Sequence, residues 1–146
     1  MTFQGPLKHT VEIVRLLDAS PKEVFDAWTN VQCVKEWYCV EGTTLTEAEF
    51  DLRPGGNYRL VMSDSQGDYE IKGEYVQIIP GERLVFTWLS SLLNWESTLV
   101  DIEFKLVDGK TELILAHEKI PTHKLALGHQ GGWDSIIVKF TQLLAA

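Results

Sequence analysis

The sequence holds only two cysteines, Cys33 and Cys39, in 146 residues. That is too few for the disulfide framework of a small secreted domain, and their spacing is neither a redox pair nor half of a zinc site, so both are read as free thiols. Positive charge is also scarce: 13 Lys and Arg stand against 21 Asp and Glu, a net charge of -8, with no basic run anywhere. A chain that cannot cluster cations cannot neutralise a nucleic-acid backbone or an anionic lipid surface, and both partner classes are excluded. No stretch approaches the roughly 20 apolar residues of a bilayer crossing, so no membrane insertion is expected. Met1 to Thr10 has no apolar run behind positive charge, so a cytoplasmic protein without a leader is expected.

What is present is an ordinary globular composition, 45% apolar and 23% charged. Residues 1–146 are expected to form one domain, long enough to bury a core without staples. The 5 Trp, 4 Tyr and 6 Phe are more large flat side chains than a minimal core of this size needs.

Thr10 to Leu17 alternates as a first strand, with Val11 and Ile13 on one face and Val14 and Leu16 on the other. The period then changes. Ser20-Pro21-Lys22-Glu23 combines an N-cap serine, a proline at the first helical position and a glutamate at the third. The helix it starts puts Val24, Ala27, Trp28 and Val31 on one face, and Thr29-Asn30-Val31-Gln32 repeats the cap pattern more weakly to start a second short helix to about Trp37. Strands follow, punctuated by turns: Glu47 to Leu52, Asn57 to Met62, Tyr69 to Ile79, Glu82 to Leu89, Thr98 to Val107 and Lys110 to Glu118. Arg53-Pro54-Gly55-Gly56, Asp64 to Gly67, Pro80-Gly81 and Asp108-Gly109 supply the turns, short enough to make the neighbours antiparallel hairpins. From Thr122 an apolar stripe at helical spacing runs through Trp133, Ile136, Ile137 and Phe140 to Leu144. Gly131-Gly132 interrupts this stripe, either as a break or, as the pattern favours, where backbone packs close to the sheet with Trp133 beside it.

One strand, two short helices, six antiparallel strands and a long helix form an α+β domain of the helix-grip kind: about seven strands curved around the C-terminal helix. The segment Ala19 to Thr29, then Trp37, then Asp51-Leu52-Arg53-Pro54-Gly55-Gly56-Asn57-Tyr58-Arg59-Leu60-Val61-Met62, resembles the activator of heat-shock protein 90 ATPase homologue family (AHSA-type) of the SRPBCC, or START/Bet v 1-like, superfamily. Gly73-Glu74, Pro80 to Trp88, Leu115-Ala116-His117-Glu118 and His129-Gln130-Gly131-Gly132-Trp133 continue the resemblance, which covers about residues 10 to 145. It implies the helix-grip fold firmly. It also implies a choice of roles among chaperone co-factors of the stress response, carriers of lipids or other hydrophobic ligands, and polyketide cyclases. The chain corresponds to the family's single-domain form, without the additional N-terminal domain by which eukaryotic co-chaperones engage the chaperone.

No catalytic residue stands out. Neither cysteine has a histidine near it in sequence, and no nucleophile elbow or phosphate loop occurs. The four histidines, His9, His117, His123 and His129, lack ligand spacing, so no metal and no cofactor are expected. His117 and His129 sit at motif positions, where each is either a satisfied structural histidine or a hydrogen-bonding group for a ligand.

The remaining constellation is apolar. Tyr58, Leu60 and Met62 share one strand face, Leu84, Phe86 and Trp88 a second, and Val100, Ile102 and Phe104 a third, all directed at Trp133, Ile137 and Phe140. These residues would line a cavity for a small hydrophobic or amphipathic molecule, or fill a core. Trp37, Tyr58, Tyr75 and His117 would supply its polar groups, although Tyr69 to Ile79 is apolar on both parities and leaves the direction of Tyr75 open. The connection Leu89 to Trp95 is too apolar for a solvated loop, and Leu92, Leu93 and Trp95 are read as a homodimer contact or as a lid.

Overall fold

The computed structural model describes residues 8–145. The expected absence of a leader rests on residues 1–7, which lie outside them. Seven strands, β1 (His9–Leu17), β2 (Thr44–Phe50), β3 (Asn57–Asp64), β4 (Gly67–Ile79), β5 (Arg83–Ser90), β6 (Thr98–Val107) and β7 (Lys110–Ile120), form one antiparallel sheet in the order β1-β7-β6-β5-β4-β3-β2. Helices α1 (Pro21–Thr29) and α2 (Val31–Trp37) follow β1, and α3 (His123–Ala145) ends the chain. The curved sheet grips α3 as the order of elements predicts. Among the described residues no helix is long and apolar enough to cross a membrane.

Local chemistry accounts for the boundaries. The Ser20 hydroxyl accepts from the Glu23 amide while Glu23 reaches back to the Ser20 amide, the reciprocal pairing expected of that motif. Asn30 ends α1 and caps α2 through the amides of Gln32 and Cys33. Asp108 and Gly109 both have positive φ, 50° and 76°, which suits the right-handed twist of a tight hairpin. Strand β2 runs Thr44–Phe50, not Glu47 to Leu52, because beyond Asp51, whose amide still reaches the Asn57 carbonyl, the Arg53 amide turns back to the Asp51 carbonyl and the Gly56 amide to the Arg53 carbonyl.

The sheet bends where its ladders slip. Register shifts lie between Leu45 and Glu47 and between Tyr75 and Gln77. The second shift settles the direction of Tyr75: Ile71 and Tyr75 are buried, Val76 is exposed at the bulge, and Ile78 turns back to the core. Beside the bulge, Gly73 lets β5 pass so close that a Cβ there would stand 2.0 Å from the Thr87 carbonyl oxygen, and Tyr58 crosses the same gap to donate to that oxygen at 2.5 Å.

Helix α3 is continuous through Gly131-Gly132, and the expected close packing there is not observed. A Cβ at Gly131 would meet nothing within 4 Å, and one at Gly132 only a Val40 methyl at 3.7 Å. The inward face of α3, Trp133, Ile136, Ile137 and Phe140, is buried, and the helix packs against β1, β7 and the two short helices, with Trp133 also against Trp88 of β5. On α1 it is Phe25, edge-on to Phe104 at 5.5 Å, that joins Val24 and Trp28 inside, while Ala27 and Val31 are only partly buried. Gly73→Ala is expected to destabilise the protein by more than about 2 kcal/mol, since backbone and not a flexible side chain blocks the added methyl. Urea denaturation checks it, with Gly131→Ala as the control that gains stability.

Candidate functional site

The space between sheet and α3 is filled at one end and open at the other. At the filled end Trp37 stacks on Phe140 with ring centroids 4.1 Å apart, and Trp28 meets both edge-on at 4.8 and 5.4 Å. Val100, Ile102 and Ile137 pack in the same interior core, each no more than 1% exposed. Next to this stack is a void of about 20 Å³, bounded by Tyr58, Leu60, Tyr75 and Phe86 among others. That is room for about one water molecule.

At the open end lies a groove of about 470 Å³. Met62 of β3, Ile71 of β4 and Trp88 of β5 form its sheet wall, and Leu125, Gly128, Gly132, Trp133 and Ile136 form its helix wall. Leu92 and Ser90 line it from the end of β5 and the connection that follows, and Glu41, Asp64, Glu70, Lys124 and His129 are among its polar groups. A second hollow, about 550 Å³, has charged residues in its lining, Glu49, Arg59, Lys72 and Glu74. The apolar groove is the one with the character of a small-molecule site.

Of the residues expected to line a cavity, Met62, Trp88 and Trp133 wall this groove. Tyr58, Leu60, Tyr75 and Phe86 surround the one-water void. Trp37 and Phe140 border neither space because they fill the aromatic stack, nor do Val100, Ile102 and Ile137, packed in the core, nor His117, which lies against Trp88 and Trp133 but is taken up by Thr98 and the Trp133 indole. Ile71, Leu125, Gly128, Gly132 and Ile136 were not anticipated. Gly128 and Gly132 could have been, since two glycines four apart mark one bare strip of a helix.

His117 is satisfied on both sides. The Trp133 indole donates to Nδ1 at 3.0 Å, so the ring proton sits on Nε2, which lies 2.7 Å from the Thr98 hydroxyl; that hydroxyl in turn donates to the Trp88 carbonyl at 2.7 Å. Burial, and secondarily the neighbouring His129, push the His117 pKa down to about 3. Burial also raises the phenols of Tyr38, Tyr58 and Tyr75 well above their ordinary range, so all three stay neutral. His129 lies on the groove side with its Nδ1 on the Leu125 carbonyl at 2.7 Å. Among the described residues no cluster of three or more His, Cys, Asp and Glu could hold a metal ion.

Leu93, expected in a homodimer contact, is 2% exposed and belongs to the core. The connection folds as a 3-10 turn, Ser91–Leu93, that points Leu93 in and leaves Leu92 and Trp95 outside at 64% and 42% exposure. Trp95 has a φ of 60° and carries the Lys72 ammonium 5.0 Å from its ring centre.

Folded His117, its pKa held down to about 3, takes up its proton only as pH approaches that value, whereas the unfolded chain's histidine does so around its ordinary 6.5. The unfolded state therefore gains protons as pH falls, and stability falls with it by up to about 1.4 kcal/mol per pH unit below 6.5. Urea denaturation from pH 7 to 4.5 should show this loss in the wild type, and a slope shallower by one proton in His117→Gln despite that variant's lower starting stability. The imidazole 15N shifts should report a neutral ring with the proton on Nε2 throughout.

Solved structures share this fold. A protein from Chromobacterium violaceum superposes with a TM-score of 0.86 at 23% identity, over 94% of this chain and 97% of that one. An AHSA1 protein from Silicibacter pomeroyi gives 0.81 at 22% identity, over 94% and 98%. The Aha1 dimer from Colwellia psychrerythraea gives 0.75 at 14% identity, over 93% and 96%. At such identities the likeness speaks for the fold. No protein of curated function matches the chain. The sequence pattern described as Activator of Hsp90 ATPase homolog 1-like protein matches residues 18–145, and the chain belongs to that family.

Proposed function

We propose that this protein binds a small hydrophobic or amphipathic molecule in the groove between the sheet and α3. One observation carries the reading: α3 keeps two glycines, Gly128 and Gly132, on the strip that walls the groove, and no packing requires either of them. Each glycine in a helix interior costs about 1 kcal/mol relative to alanine. What they provide is open volume beside Trp133. The binding involves no covalent step at His117, whose ring nitrogens are both engaged.

Gly128→Ala and Gly132→Ala should each raise stability by about 0.5–1 kcal/mol. Gly128→Leu should keep the fold by circular dichroism but fill the groove. In a thermal-shift screen of lipids, aromatic polyketides and steroid-like compounds, at least one class should stabilise the wild type through mass action and leave Gly128→Leu unmoved. Absence of any shift in the wild type overturns the reading.

Two further readings rest on the comparisons. The family's description supports a co-factor role toward a heat-shock protein 90 chaperone. A pull-down with the chaperone and measurement of its ATPase rate decide it, and no binding removes it. The dimeric relative supports self-association, for which exposed Leu92 and Trp95 are the proposed contact. Sedimentation at high micromolar concentration should show a dimer that Trp95→Ser converts to monomer, whereas a monomeric wild type excludes the contact.

A further inference from the structure

Two residues of the groove wall each carry a polar atom without a partner among the described residues. Trp88 and Ser90 alternate inward near the end of β5, each 5% exposed, and both line the groove. The Trp88 indole Nε1 and the Ser90 hydroxyl are buried without a hydrogen-bond partner among the described residues. The contrast with their neighbours is informative. The Trp133 indole reaches His117 and the Trp37 indole reaches the Ala27 carbonyl. Ser90 stands at the N-cap position of the 3-10 turn yet its side chain caps nothing. A buried donor left unpaired is destabilising, and such groups are rare in folded proteins unless a ligand or water completes them.

We propose that the ligand of this groove is an uncharged, largely apolar molecule bearing a carbonyl-type acceptor, held by hydrogen bonds from Trp88 Nε1 and Ser90 Oγ. The inference rests on the groove reading above and adds the chemical class of what fills it. Neither atom is open to the unliganded groove, so the two side chains turn toward a ligand to donate, and what two such donors select is an acceptor. Both donors are neutral. Of the charged groups that line the groove, Glu70 is paired with Arg59, which leaves the carboxylates of Glu41 and Asp64 against the single ammonium of Lys124. That balance disfavours an anionic head group. The remaining walls, Met62, Ile71, Leu125 and Ile136, ask for hydrocarbon or aromatic surface.

A matched set of compounds tests this: 2-acetylnaphthalene, its hydrocarbon counterpart 2-ethylnaphthalene, and the anion 2-naphthoate. Titration calorimetry of the whole chain should show the ketone binding about five- to tenfold more tightly than the hydrocarbon, the worth of one net hydrogen bond, with the carboxylate weakest. The indole 1H–15N resonance of Trp88, assigned by its loss in Trp88→Phe, should move downfield with the ketone and not with the hydrocarbon. Ser90→Ala should raise the melting temperature of the free protein, because an orphaned hydroxyl is removed, and at the same time reduce the preference for the ketone. Equal affinities for ketone and hydrocarbon with an unmoved Trp88 resonance overturn the acceptor inference and leave the groove reading standing. Tightest binding by 2-naphthoate overturns the uncharged class. Binding of none of the three overturns the groove reading and this inference together.

Discussion

The Trp133 indole donates to His117 inside the sheet, and this bond fixes how deeply the long helix sits. His117 is anchored in turn through Thr98 to the Trp88 carbonyl, so one relay ties α3 to β7, β6 and β5. Every polar atom along it has a partner, as a buried network in low dielectric requires. The relay also sets a tautomer: protonation of Nδ1 would set two N–H groups against each other, which adds to the burial that already holds the ring neutral. With Trp133 held in this way, its ring lies 5.1 Å from that of Trp88, and the two large side chains form the inner corner of the groove.

From that anchor the interior divides. Toward the C-terminal half of α3 the residues are bulky, and Trp28, Trp37, Tyr38 and Phe140 interlock in stacked and edge-on contacts. Toward its N-terminal half α3 presents Gly128 and Gly132 to the sheet, and the walls stand apart. The aromatic surplus therefore has mostly a structural use. Most of the rings fill the core, and Trp88 and Trp133 serve both core and groove. A packed end and a bare end on one helix let a small domain keep a rigid frame beside open apolar volume. The cost is borne locally, in two glycines and two unpaired polar atoms.

The fold was legible because its signals are local. The Ser20 cap, the Pro80-Gly81 and Asp108-Gly109 turns and the alternation of β6 each have a short-range cause, and each lies where the sequence predicts, whereas the second helix is capped by Asn30 and not by Thr29. The candidate site was legible only in part. Strand and helix parity pointed Met62, Trp88 and Trp133 inward, and all three wall the groove. Val100 and Ile102 satisfy the same parity but face the packed end, since pattern tells which way a side chain points and not what waits opposite. Ile71 and Tyr75 needed the bulge at Val76, an extra residue that inverts parity without any mark in composition. Leu93 was misassigned because a 3-10 turn can bury one leucine of an exposed pair.

The sequence by itself determined the order of elements, their caps and turns, the inward faces and an acidic surface, because each follows from neighbours within a few residues. Only the tertiary structure decided which end of the interior closes, that His117 is fully engaged and that Trp88 and Ser90 are not, and that the helix glycines face open space. These depend on the distance between walls contributed by segments far apart in the chain, set by sheet curvature and the seating of Trp133. No local pattern encodes that separation.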